Sequence, residues 1–306
     1  MTGYFPEGFR FDNVKGKASA FTPVLLAEAS AKGTVLEAIA IMCDTAHNLI
    51  VDLGCMKGII PREEGAVGIA EGVTRDIAIL SRVGKAVCFT VEALRTDENG
   101  EMYALLSRRR AQELFKKAFF ERAVVGDIFP ARVTHLETFG AFLDIGCGIV
   151  ALLPIDAISI SRISHPTDRL RVGQDIKVIL KSISDDGKIT VSLKELLGTW
   201  QENADMFCVR QTVSGVIRSI ENYGVFVELT PNLAGLAEPF ENARVGQSAS
   251  VYIKSIISEK MKIKLIIIDS FAPSFNTELK YFYEGDHIEN FCYSPENCEK
   301  KISSVF

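Results

Sequence analysis

A three-residue phrase returns at three places in the chain, as Val83-Gly84-Lys85, Val172-Gly173-Gln174 and Val245-Gly246-Gln247. Each copy opens a run of strand-forming residues, at 86–91, 175–180 and 248–253. A polar turn and a second apolar run follow each time: Asp97-Glu98-Asn99-Gly100 before 103–109, Ser184-Asp185-Asp186-Gly187 before 188–194, and Ser258-Glu259-Lys260 before 261–268. Asn-Gly or Asp-Gly between β-rich runs marks a hairpin, because glycine takes positive φ without a steric penalty. A chain that repeats its own turn signals in this way is an array of small modules, and that restricts its fold more than any average over its 306 residues.

The stretches ahead of the phrase repeat as well. Val51-Asp52-Leu53-Gly54 aligns with Leu143-Asp144-Ile145-Gly146, and Val227-Glu228-Leu229 is the third copy. Each leads to a small apolar run closed by a proline, at Pro61, Pro154 and Pro239. Further upstream, Gly33-Thr34-Val35, Ala131-Arg132-Val133 and Gly215-Val216-Ile217 open the repeats. On that alignment the first repeat holds six more residues between Val35 and Ile50 than the second holds between Val133 and Phe142. Five short strands in about seventy residues predict a small Greek-key barrel of the OB type. The expected fold class is all-β: three tandem five-stranded barrels joined by short helical linkers, with a C-terminal tail that is α+β or irregular. The expected boundaries are an N-terminal segment 1–30, a barrel 31–110, a helical linker 111–121, a barrel 122–196, a linker 197–207, a barrel 208–270 and a tail 271–306.

Arg109 to Arg122 has helical spacing, with Leu114, Phe115, Ala118 and Phe119 on one side and Lys116, Lys117 and Glu121 on the other. The tail is rich in rings (Tyr281, Phe282, Tyr283, Phe291, Tyr293), which predicts that it docks on the third barrel.

Composition excludes several classes. With 47% hydrophobic and 24% charged residues the chain is expected to fold rather than stay disordered. A net charge of −5 argues against binding nucleic acid or membrane by bulk positive charge. No apolar run approaches the length of a membrane span, and Pro6, Glu7 and Gly8 stand where a secretory leader needs an apolar stretch. The expectation is a soluble, cytoplasmic protein with no membrane partner. Seven cysteines without a CxxC pair support neither a disulfide framework nor a zinc ribbon, and His287, Cys292 and Cys298 lack a fourth ligand, so no metal and no cofactor is expected. The four histidines are dispersed, Asp185-Asp186 falls in a turn and no phosphate-cradling glycine loop occurs, so no catalytic residue is expected either.

The second repeat resembles the S1 RNA-binding domain family. Gly126-Asp127, Arg132-Val133, Phe139-Gly140-Ala141-Phe142, Leu143-Asp144-Ile145-Gly146, Val172-Gly173-Gln174 and Val191-Ser192-Leu193-Lys194 follow nearly the whole family pattern in order and spacing. The third repeat is similar through Tyr223-Gly224-Val225-Phe226 and Val245-Gly246, and the first through Val51-Asp52-Leu53-Gly54 and Leu106-Ser107-Arg108-Arg109. Taken whole, the chain resembles a shortened member of the bacterial ribosomal protein S1 family. The resemblance implies single-stranded RNA stacked on two aromatics that flank a Gly-x pair, which are Phe139 and Phe142 here, with Tyr223 and Phe226 as the second pair. Strand alternation agrees, since two rings three residues apart cannot both point into a core unless the strand bulges. Arg132, His135 and Lys194 around the first pair, and Arg218 near the second, are the candidate polar contacts.

This chain departs from the family in ways that matter. Many S1 domains carry a histidine after the third strand; the aligned positions here hold Pro61, Pro154 and Glu238. In the first repeat His47 and Ile50 stand where Phe139 and Phe142 stand, so that repeat is expected to be a structural or docking barrel. Its Arg108-Arg109-Arg110 cluster can serve a phosphate or start a helix, and Arg162 and His165 can touch RNA or cap a loop. The three barrel segments sum to zero charge, and the surplus lies in the tail (−3) and in 197–207 (−2). The expected function is therefore non-catalytic binding of single-stranded RNA in translation, with the small ribosomal subunit as a candidate partner. A protein-docking adaptor of the ribosome or of RNA decay is the alternative.

Overall fold

Each repeat closes a five-stranded barrel. The computed structural model describes residues 4–9, 21–272 and 279–306; the remainder of the N-terminal segment 1–30 and of the tail 271–306 lies outside the described residues. Barrel one is built from β1 (Leu36–Cys43), β2 (Leu49–Asp52), β3 (Lys57–Ile60), β4 (Ala86–Thr96) and β5 (Met102–Ser107). Barrel two uses β6 (Ile128–Glu137), β7 (Gly140–Gly146), β8 (Ile149–Pro154), β9 (Asp175–Ile183) and β10 (Ile189–Ser192). Barrel three uses β11 (Thr212–Glu221), β12 (Gly224–Thr230), β13 (Leu233–Ala237), β14 (Ser248–Ile257) and β15 (Lys262–Phe271). In all three the third and fifth strands pair in parallel and the fourth returns to the first, the closure of an OB barrel.

The helices begin where the sequence supplies caps. Thr22 caps α1 (Pro23–Lys32), which Gly33 ends at φ 62. A short α2 (Ile77–Leu80) lies in the β3–β4 connection. Ser107 accepts from Arg110 N at 2.9 Å to start α3 (Arg108–Arg122), which buries Ala111, Gln112, Phe115 and Phe119. Thr199 and Glu202 form a capping box for α4 (Trp200–Ala204). Among the described residues, no helix is long and apolar enough to cross a membrane.

The recurring phrase has a structural cause. Gly84 N donates to Ala40 O at 2.7 Å and Ala40 N to Lys85 O at 2.9 Å. The same reciprocal pair joins Gly173 and Gln174 to Val133, and Gly246 and Gln247 to Ile217. The three glycines hold φ of 76°, 87° and 89°, a region that costs any other L-residue strain. The phrase is thus the latch that pins the long connection to the first strand before the fourth begins. It also corrects the upstream alignment: Ala40, not Val35, is the counterpart of Val133. Counted from Ala40, the first repeat is one residue longer to Ile50 rather than six. Gly33-Thr34-Val35 is not strand at all; it leaves the C-cap of α1.

By contact density the chain forms two compact units. The first holds Met1–Ala123 with Pro130–Arg132 and Asp144–Val150; the second holds Val124–Phe129, Val133–Leu143 and Ala151–Phe306. Inside the first, Glu7 is buried in an ion-pair centre. Its carboxylate accepts from Arg108 Nε and Nη2 at 2.7 and 2.9 Å, from Arg82 Nη1 at 3.2 Å and from Cys88 N at 3.1 Å. Its own N–H donates to Asp144 Oδ2 at 2.7 Å, and Asp144 Oδ1 accepts from Gly146 N and Gly148 N. Burial pushes Glu7 up, but the Arg108 guanidinium, Arg82 and the Cys88 amide together hold the carboxyl below its usual range. Asp144 goes the other way: burial, then the Glu7 charge, push it up to about 7.

The linkage has a definite sign. Between its ordinary value of 3.8 and about 7, folded Asp144 keeps a proton that the unfolded chain has lost. Stability from this group is therefore lost as pH rises across that window, by at most about 1.4 kcal/mol per pH unit. Glu7 opposes it only at the acid end, where its depressed value makes stability fall as pH drops. Hydrogen exchange at β4 amides, followed from pH 5 to 8, is expected to lose protection with rising pH in the wild type. In Asp144→Asn the slope should flatten even though a lost acceptor lowers protection at every pH; an unchanged slope refutes the assignment.

The second unit contains the tail, which ends in a hairpin of β16 (Asn290–Cys292) and β17 (Ser303–Val305). Contrary to the expectation from its aromatics, it docks mainly on barrel two. Ile128 N donates to Asp286 O at 2.8 Å, Ile288 N to Gly126 O at 2.9 Å, and His287 Nδ1 lies 2.7 Å from Asp127 Oδ1. The backbone just ahead of and at the start of β6 offers unpaired hydrogen-bonding groups, and the tail supplies an antiparallel partner for them. Tyr281 accepts from Lys177 N at 3.0 Å, and Phe282 N donates to Leu196 O. Tyr293 reaches barrel three, with its hydroxyl on the Asn232 carbonyl.

Candidate nucleic-acid interface

Phe139 stands in the turn ahead of β7, so strand alternation does not bind it, and it is 54% exposed. Phe142 lies on the outer face of β7, half-buried, between the inward Ala141 and Leu143. Their rings meet edge to face at 5.9 Å and 85°. Barrel three reproduces this pair: Tyr223 is 65% exposed in the turn ahead of β12 and meets Phe226 at 6.3 Å and 89°. The glycine inside each motif is needed for a close approach. A Cβ on Gly140 would collide with Leu153 O, and one on Gly224 with Ala237 O, both on the third strand.

The candidate polar residues separate into two groups. His135 is stacked on Phe142 at 6.4 Å and 21°, and its Nε2 lies 2.7 Å from Glu137 Oε1. Lys194 donates to Asp156 O at 3.2 Å and is half-buried. These two belong to the same compact unit as the ring pair. Arg132 and Arg218 are engaged within the fold. The Arg132 guanidinium packs so close to Gly8 that a Cβ there would strike it. Arg218, with only 14% of its side chain exposed, donates to Glu228 Oε2 at 2.8 Å and lies 3.3 Å from Asp168. Glu228 also receives Arg169. This network was missed from the sequence, although the alignment of Glu228 with Asp144 marked the position: both are buried acids, Asp144 held by backbone N–H groups and Glu228 by arginines.

Other candidates find structural work. His165 caps the turn Pro166–Asp168, its Nδ1 accepting from Thr167 N at 3.2 Å while Asp168 reaches back. Arg108 pairs with Glu7, Arg109 with Glu113 at 3.0 Å, and Arg110 with Glu92 at 3.4 Å. On barrel one His47 pairs with Asp76 at 3.2 Å and Ile50 is buried, while Ile41 and Met42 are about half exposed. Barrel one therefore has no ring pair at the positions of Phe139 and Phe142, and its exposed aliphatic groups lie on the first strand, β1.

The family model described as S1 RNA binding domain matches residues 123–194. Small ribosomal subunit protein bS1 of Staphylococcus aureus (strain COL) is 30% identical over 236 residues, covering 72% of this chain and 58% of that protein. The bS1 protein of Staphylococcus haemolyticus (strain JCSC1435) is 29% identical over 233 residues, with 72% and 57% covered. The matched region thus spans a little over half the length of these relatives. Among solved structures, a multidomain protein with nucleic acid binding domains from Streptococcus pneumoniae is 14% identical, covering 77% of this chain and 73% of its own, at a TM-score of 0.25. So low a score bears on neither fold nor function. The chain therefore carries an S1 RNA binding domain at residues 123–194 and, over 72% of its length, is similar to small ribosomal subunit protein bS1.

Proposed function

We propose that the chain is a non-catalytic, cytoplasmic RNA-binding protein that holds single-stranded RNA, messenger RNA in translation, by stacking bases on barrels two and three. The observation that carries this reading is the duplicated edge-to-face ring pair, Phe139 with Phe142 and Tyr223 with Phe226, in the same turn-and-strand setting in two barrels. Stacking accepts any base, which suits a protein that must hold varied message. The small ribosomal subunit is the proposed partner. With Arg132 and Arg218 engaged internally, Lys194 is left as the cationic phosphate contact on barrel two, with His135 a hydrogen-bonding candidate beside it. One cationic contact gives a slope of log affinity on log salt of about −0.7. Fluorescence anisotropy with an unstructured RNA between 50 and 300 mM salt is expected to show that shallow slope and no cleavage of the probe. A slope several times steeper refutes stacking as the main source of affinity, and degraded probe refutes the non-catalytic reading.

A second reading rests on barrel one, where His47 and Ile50 stand at the ring positions and the exposed Ile41 and Met42 lie on the first strand. It makes the chain a protein-docking adaptor. Absence of RNA binding together with a partner captured after ribonuclease treatment favours it.

A further inference from the structure

Barrels two and three, within the second compact unit, are joined by polar contacts that define a single arrangement. Glu228 on β12 takes Arg169 from the β8–β9 connection and Arg218 from β11, and Arg218 in turn faces Asp168. Glu228 and Arg169 are almost fully buried. Beside them the wholly buried Asn232 accepts from Ile160 N at 3.0 Å and donates to the carbonyls of Lys194 and Gly198, each at 2.8 Å. Ser161 N donates to Pro231 O at 3.2 Å. A purely apolar contact could slide. A shared carboxylate and a fully satisfied amide lose their partners with a small displacement, and burial makes the loss costly.

The network also touches both candidate binding faces. Arg218 is the extra residue of the β11 bulge, between Ile217 opposite Val227 and Ser219 opposite Phe226. Glu228 lies two residues beyond Phe226 on the same strand, so the two share the outer face. On barrel two, Lys194 gives its carbonyl to Asn232 while its amine is a candidate phosphate contact. We infer that the two ring pairs act as one rigid two-site platform for a single continuous RNA strand, with Glu228 as the positioning residue that holds the second site to the first. The inference rests on the stacking reading above. A fixed spacing raises the effective concentration of the second site once the first is filled, and a loosened joint lowers it.

The full chain is titrated with unstructured RNAs of about 4 and about 20 nucleotides, one matched to a single barrel and one able to reach both. The wild type should bind the long strand on the order of a hundredfold more tightly. Glu228→Gln keeps the shape and removes the charge. It should leave short-RNA affinity within about twofold and cut the long-to-short ratio about tenfold. Asp168→Asn guards against a folding defect, because it keeps the oxygen that accepts from Ser164 and His165 and loses the charge and the acceptor that face Arg218. Its ratio should fall by about two- to threefold. Unchanged ratios in both variants, with short-RNA binding intact, overturn the rigid platform and leave stacking standing. Short-RNA binding that is indifferent to the ring pairs overturns the stacking reading itself.

Discussion

Replacing Phe139 and Phe142 together by alanine is expected to weaken binding of an unstructured RNA by at least about 2 kcal/mol, roughly 30-fold, since each stacked base contributes about 1–3 kcal/mol. The loss should not be total, because Tyr223 and Phe226 remain on barrel three. Phe139 is more than half exposed and contributes little to the core, so its removal reads stacking almost cleanly. Phe142 is half-buried against His135, and its truncation also disturbs packing. Phe142→Leu separates the two effects: leucine fills much of the buried volume but offers no π-face, so affinity should fall while thermal stability holds. His47→Ala on barrel one, at the position aligned with Phe139, should leave RNA affinity unchanged. Wild-type affinity in the Phe139→Ala, Phe142→Ala double variant, measured by filter binding, removes the basis for stacking on barrel two.

The barrels are legible in the sequence because their construction depends on backbone conformations that few residues tolerate. Gly84, Gly173 and Gly246 are required at positive φ, and the hairpin turns at Asn99-Gly100 and Asp186-Gly187 by the same logic, so each leaves a visible mark. The ring pairs are visible because Gly140 and Gly224 must admit a carbonyl of the third strand. What is not legible is which surface residues another segment covers. Glu7 reads as a polar residue near a terminus, and only the fold brings Arg108 to it across a hundred residues. Arg218 reads as a cation beside an aromatic pair, and only the fold supplies Glu228 and Asp168. The tail offers rings that would suit either barrel, and backbone pairing with 126–128 decides for barrel two. The first-strand register of barrel one failed for a related reason: Gly33 resembles a strand-opening glycine, but here it is a helix cap.

The largest stability effect is expected at Glu7. Its carboxylate is the common acceptor for two arginines and a β4 amide, and Arg108 has almost no solvent to replace it. Glu7→Ala therefore leaves a buried guanidinium whose remaining partner is the Gly65 carbonyl at 3.1 Å. Breaking one side of a buried pair costs about 3–5 kcal/mol. The first compact unit should accordingly unfold at a midpoint lower by roughly 10 °C or more. Most of that cost is the stranded charge rather than the lost attraction, and a second substitution exposes the difference. Arg108→Met in the Glu7→Ala background removes the charge while keeping an unbranched side chain of similar reach, so it should recover part of the loss instead of adding to it. Differential scanning calorimetry of the four proteins in the cycle measures this directly. If Glu7→Ala stays within about 0.5 kcal/mol of wild type, the range of an ordinary surface substitution, then Glu7 does not hold the first unit together. If the two losses simply add, Arg108 has some partner there that matters more to it than Glu7.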